Sequence, residues 1–180
     1  MNLMHMQLSD QGVSRDRYNF ILRTLIFITR SGRVLLLKGA QQKRLWGGKY
    51  NGVGGHVERG EDVLSAAYRE LYEETGLRVN NLWLCGTVTI DTGPDTGILM
   101  LIYRGECLQG EPVASSEGFL EWVSFDQVAD LPLVEDLNTL LPRLLKVNPG
   151  DPPLSAHYFF NEEGQLIIRF YDPTAFINPS

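Results

Sequence analysis

Gly54-Gly55-His56-Val57-Glu58-Arg59-Gly60-Glu61 leads into Asp62-Val63-Leu64-Ser65-Ala66-Ala67-Tyr68, and that into Arg69-Glu70-Leu71-Tyr72-Glu73-Glu74-Thr75-Gly76-Leu77. The run from Glu61 to Glu74 reads as a helix. Glu61 and Asp62 would stand in its first turn, where the positive end of the helix dipole favours anions. Val63, Leu64, Ala66, Ala67 and Leu71 suit a helix, and no Pro or Gly interrupts them. Gly76 supplies the stop, since glycine tolerates the left-handed conformation beyond a last turn. Ahead of the helix, Gly54-Gly55 allows a backbone path that bulkier residues resist.

At about 100° per residue, Glu70, Glu73 and Glu74 share one arc of this helix. Leu64, Tyr68, Leu71 and Thr75 make a neighbouring stripe that can face a core. Ala66 and Ala67 flank the acids and are too small to shield them. Like charges four residues apart repel, so a purely structural helix gains nothing by repeating them. A hard divalent cation, which takes oxygen ligands, would remove the repulsion. Arg69 lies four residues before Glu73 and can hold it in one rotamer. The acids alone fit either a solvated face or a metal-competent one; the glycines and Arg69 favour the second.

The full spacing is Gly55, five residues, Glu61, seven residues, Arg69-Glu70-Leu71, one residue, Glu73-Glu74, one residue, Gly76-Leu77. It resembles the signature of the Nudix hydrolases, with every fixed position filled. Element order and the Asn51-Gly52-Val53-Gly54-Gly55 lead-in resemble the MutT-like branch, nearest to its oxidised purine nucleoside triphosphatases. The likeness runs from about Phe20 to Tyr171.

This resemblance implies an α/β (α+β) fold, a mixed β-sheet between helices closed by a C-terminal hairpin. It also implies Mg²⁺ or Mn²⁺ and hydrolysis of a nucleoside diphosphate-linked compound, the expected substrates being nucleoside triphosphates, oxidised purine ones among them, cut to monophosphate and pyrophosphate. The metal positions it implies are Glu70, Glu73, Glu74, a carbonyl of Gly54 or Gly55, and Glu117. Glu70 or Glu73 is the base, and Arg69 orients the glutamates. Asn51 and the pair Glu135-Asp136 match positions that contact the base, although two acids before a helix also simply favour its N-terminus. The Trp that those enzymes place two positions before the acid pair is Leu133 here, which offers no aromatic face. ADP-ribose, a dinucleoside polyphosphate, or nucleotide sensing without cleavage are the alternatives.

The chain has 180 residues, 43% hydrophobic and 21% charged, an ordinary balance for one domain. Its net charge of -6 argues against a nucleic-acid surface, which needs a basic footprint. A small phosphate-bearing substrate remains compatible, because metal supplies positive charge locally. Cys85 and Cys107 sit in apolar runs and are expected as buried free thiols. Met1 to Arg17 shows no basic stretch followed by an apolar one, and no apolar run is long enough to span a bilayer. A cytoplasmic monomer or homodimer is expected, with no membrane or nucleic-acid partner.

Along the chain, residues 1–17 read as an extension, 18–172 as the catalytic domain and 173–180 as a tail. Strands are expected over Phe20–Ile28, Val34–Leu37, Asn51–Val57, Asn81–Asp91, Gly97–Tyr103 and Phe119–Phe125. Ser31-Gly32 turns the first pair. Between Lys38 and Tyr50 lies a polar, glycine-rich loop whose Lys43, Arg44 and Trp46 could reach substrate, or simply face solvent. A short helical turn starts at Asp126. Leu137, Leu140, Leu141, Leu144 and Leu145 predict a second helix over Val134–Val147, with Pro142 as a blemish. His157–Phe160 and Gln165–Tyr171 read as a hairpin.

Overall fold

The computed structural model describes residues 16–42, 46–113 and 117–171. Most of the expected extension, Lys43, Arg44 and the expected tail lie outside these residues. The strands are β1 (Asn19–Arg30), β2 (Arg33–Gly39), β3 (Tyr50–Asn51), β4 (Leu82–Asp91), β5 (Thr96–Glu106), β6 (Gly118–Ser124), β7 (Leu154–Phe160) and β8 (Leu166–Phe170). The helices are α1 (Val63–Thr75) and α2 (Leu137–Leu144). All strands join one sheet in the order β3-β2-β1-β5-β4-β7-β8, with β6 on the other edge of β2. The β1–β5 and β4–β7 pairs are parallel and the others antiparallel, so the sheet is mixed.

The consecutive apolar residues of β1 explain why both faces of the sheet are covered. Ile26 and Ile28 point into one core with Ala67 and Leu71 of α1. Leu25 and Phe27 point into the other, with Leu137, Leu140, Leu141 and Leu144 of α2. The sheet is therefore sandwiched between helices, the arrangement that the resemblance implies. β7 and β8 form the expected closing hairpin, in register from Ala156↔Phe170 to Phe160↔Leu166.

Local boundaries depart from the sequence reading in three places. First, α1 begins at Val63, not Glu61. Asp62 is its N-cap, accepting from the backbone N–H groups of Leu64 and Ser65, both at 2.9 Å. Gly76 does end the helix, at φ 68°. Ala66 and Ala67 are wholly buried rather than flanking open acids, and Leu64 is partly exposed. Second, α2 is shorter than expected. Residues 131–134 instead run beside β3, with Tyr50 N–H donating to Pro132 O and Val134 N–H to Tyr50 O. Third, the expected strand Asn51–Val57 is regular only at Tyr50–Asn51.

That third departure makes the site. β1 and β2 leave the Ser31-Gly32 turn paired only at Thr29↔Val34 and Arg30↔Arg33, then splay apart. The chain from Tyr50 to His56 fills the fork. β3 pairs with β2, while Val53 and His56 form isolated bridges to Ile26 and Arg23 of β1. The glycines permit this wedge. A Cβ on Gly54, where φ is 147°, would strike the Thr24 carbonyl, and one on Gly52 would strike Ile26 O and the Phe27 ring.

Candidate active site

The wedge holds Gly54 and Gly55 against α1. Glu74 accepts a hydrogen bond from Gly54 N–H at 3.0 Å. Gly55 lies so close to Glu70 that an added Cβ would collide with the carboxylate. Its carbonyl accepts from Thr24 N–H at 2.8 Å, which fixes the turn to β1.

Arg69 organises the acids more widely than the expected contact with Glu73. Its guanidinium donates to both oxygens of Glu61, Nη2 to Oε1 at 2.6 Å and Nε to Oε2 at 3.1 Å. Nη1 reaches Glu70 Oε1 at 2.9 Å and Glu73 Oε2 at 3.1 Å, and Nη2 also reaches His56 O at 3.0 Å. One planar fork thus ties the pre-helical Glu61, the helical acids and the wedge together. Arg69 holds the Glu61 carboxyl below its usual range, helped by Glu58 N–H, and Glu61 in turn raises the guanidinium.

Two adjoining cavities open along the fork. One, of about 420 Å³, is lined by Glu70, Glu73, Glu74 and Glu117 with Gly54, Gly55 and Arg23. The other, of about 340 Å³, has Leu25, Leu37, Trp46 and Met100 as apolar walls and Asn51, Lys49 and Arg23 as polar ones. Arg23, Gly54, Glu74 and Glu117 belong to both. The geometry therefore gathers all the expected metal positions, and Asn51 with its Oδ1 accepting from Gly52 N–H at 2.8 Å. It does not bring Glu135 or Asp136 into either lining. Glu135 is exposed and pairs with Lys49 at 3.4 Å, and Asp136 stands at the start of α2. Leu133 is buried in the α2-side core.

Arg23, Lys49 and Met100 were not legible as site residues. For Arg23 a signal existed, as a charge inside the apolar run Phe20–Ile28, but only the splaying of β1 shows where it points. Trp46 has φ 62°, an unusual conformation for a bulky residue, and its ring stands partly exposed at the cavity.

The donor set suits a hard divalent cation, since carboxylates and glycine carbonyls supply only oxygen. Among the described residues, no three His, Cys, Asp or Glu side chains already converge as metal ligands. Arg69 engages one oxygen each of Glu70 and Glu73, leaving their second oxygens outside its network.

A model of the NUDIX domain family matches residues 20–144. The chain belongs to the Nudix family. It is similar to the oxidized purine nucleoside triphosphate hydrolase of Danio rerio, 37% identical over 108 residues, 59% of this chain and 68% of that protein. The protein of the same name from Mus musculus is 29% identical over 147 residues, 81% of this chain and 90% of that one. Among solved structures, the mutator MutT protein of Bacillus halodurans superposes with a TM-score of 0.70 at 25% identity, covering 84% of this chain and 97% of that chain. This Nudix chain is thus a pyrophosphohydrolase of MutT-like kind, and Nudix hydrolases generally use divalent metals. Among the described residues no helix is long and apolar enough to cross a membrane.

Proposed function

We propose that this Nudix hydrolase cleaves nucleoside triphosphates, oxidised purine nucleotides among them, to the monophosphate and pyrophosphate. The observation that carries this is the junction of an apolar-walled cavity with a carboxylate-lined one at Gly54, Glu74 and Glu117. A base fits the first, whose volume lies in the range of small-ligand sites, and a polyphosphate extends into the second. The names of the two vertebrate relatives support the purine reading. With Leu133 buried, Trp46 is the aromatic surface available to a base.

Mg²⁺ or Mn²⁺ would be held by Glu73, Glu74, Glu70, a carbonyl of Gly54 or Gly55, and Glu117. When bound it supplies positive charge to the polyphosphate and acidifies a water. Glu70, oriented by Arg69, takes the proton of the attacking water, with Glu73 the other carboxylate placed to do so. Gly54 N–H keeps Glu74 turned toward the junction. Asn51 and Lys49 present polar groups to the base and sugar, and Lys43 and Arg44 serve the phosphates. Glu135 acts on the base through Lys49. A reducing cytoplasm suits Cys85 and Cys107, both buried free thiols.

The test is a product-resolved screen with Mg²⁺ over unmodified and oxidised purine triphosphates, ADP-ribose and a dinucleoside polyphosphate. Monophosphate and pyrophosphate in equal amounts are expected from the triphosphates. Preferred cleavage of ADP-ribose would overturn the substrate assignment, and tight binding without any product would overturn turnover itself. Glu70→Gln should lower kcat about 100- to 10,000-fold while the protein stays folded. Glu73→Gln should also lose most turnover.

A further inference from the structure

We infer that Arg23 is the residue that binds the substrate's α-phosphate, and that it holds the same phosphate in the monophosphate product. The inference rests on the reading of the site as a nucleotide pyrophosphohydrolase.

Arg23 lines both cavities, so it stands where a chain leaving the apolar one must cross toward the glutamates. Its backbone is fixed from two sides, by pairing with Met100 of β5 and by the bridge to His56. A side chain on such a strand is aimed more reproducibly than one on a loop.

Its guanidinium is also available. Arg69 has its donors engaged by Glu61, Glu70, Glu73 and His56 O. Arg30 is engaged by Cys107 O, Gly110 O and Glu111. The Arg23 side chain makes no hydrogen bond or ion pair to any described residue. Five glutamates line its cavity, Glu58, Glu70, Glu73, Glu74 and Glu117, yet the Arg23 side chain is bonded to none of Glu58, Glu70 and Glu73. An unengaged planar fork at half burial, facing a space sized for a ligand, matches the bidentate geometry of a phosphate. The acids beyond it serve the scissile bond, so the phosphate left to Arg23 is the one that remains on the nucleoside.

The experiment measures binding of a nucleoside and of its 5′-monophosphate by calorimetry, without turnover, beside steady-state kinetics on the triphosphate. Parent, Arg23→Ala, Arg23→Gln and Arg23→Lys are compared, with thermal unfolding as the control for folding. Loss of one charge-assisted contact weakens monophosphate binding about 10- to 100-fold. It raises KM for the triphosphate by a similar factor, moves kcat less, and leaves nucleoside affinity unchanged; Arg23→Lys recovers part of the loss. Arg23→Gln retains the aliphatic stem, so a folding defect in the alanine variant does not decide the result. Equal monophosphate affinity in parent and folded variants would overturn the role of Arg23 and leave the nucleotide reading standing. Absence of both nucleoside and monophosphate binding in the parent would overturn the nucleotide reading, and this inference with it.

Discussion

At the residue scale, the contact between Gly55 and Glu70 sets the position of the proposed base. The carboxylate occupies the space in which any side chain on Gly55 would begin. Gly55 is not in the left-handed region, so alanine there displaces Glu70 without straining the backbone. Gly55→Ala should therefore fold with a melting temperature near that of the parent while kcat falls about 100-fold, the usual consequence of a displacement near 1 Å. Parent-like turnover in a folded variant would remove Glu70 from its role. The sequence made the acids and glycines legible because their spacing is short-range and one helix turns it into geometry. Glu61 was legible as a fixed position but not as the partner of Arg69, since the seven residues between them cross the start of α1. Arg23 depends on strand pairing across the molecule, which no local pattern carries.

At the scale of elements, the wedge and α2 were misread for related reasons. Asn51–Val57 has strand-like composition, but two diverging strands divide its pairing, so it never becomes regular. The second helix was expected from Val134, yet Val134 N–H bonds to Tyr50 O beside β3 and the helix starts only at Leu137. What holds α2 at its other end is Arg104 of β5, a buried arginine. Its Nη1 donates to Leu144 O at 3.1 Å, Leu145 O at 3.0 Å and Val147 O at 2.7 Å. It thereby satisfies carbonyls that a helix end leaves without partners, and places positive charge at the negative pole. Arg104→Met keeps the bulk and removes the donors. Urea titration should show a loss of about 2 to 3 kcal/mol, the value of a charge-assisted hydrogen bond in a buried setting. A loss below about 0.5 kcal/mol, the range of substitutions away from such features, would show that α2 needs no such cap.

At the scale of the whole molecule, the carboxylates divide by the direction in which the fold moves them. Arg69 lowers Glu61, Ser65 lowers Asp62 at the N-cap, and His157 followed by Tyr18 lowers Asp91. Stability from these three is complete above the unfolded carboxylate range, near pH 4, and is lost as pH falls through their folded values. Burial raises Asp136 instead. Its ionised form therefore weakens the fold at neutral pH and ceases to do so once protonated. Asp136→Asn should unfold at higher urea than the parent at pH 7, and the difference should vanish below about pH 4. Glu61→Gln should show the reverse, a loss at pH 7 that shrinks in acid. The sandwich was legible through the resemblance of the Gly55–Leu77 spacing to a family signature, and the closing hairpin from two strand-like runs on either side of a turn. The fork between β1 and β2 was not, because a turn as tight as Ser31-Gly32 predicts strands paired along their full length.

The central claim is that the cavity of Glu70, Glu73, Glu74 and Glu117 gathers a divalent cation beside the path of a polyphosphate. Anomalous diffraction from crystals soaked in Mn²⁺ tests it most directly. The account predicts a manganese peak within coordination distance of these carboxylates and a carbonyl of Gly54 or Gly55, lost in Glu73→Gln. Fully bound manganese elsewhere on the protein, with this cavity lacking any peak, would contradict it.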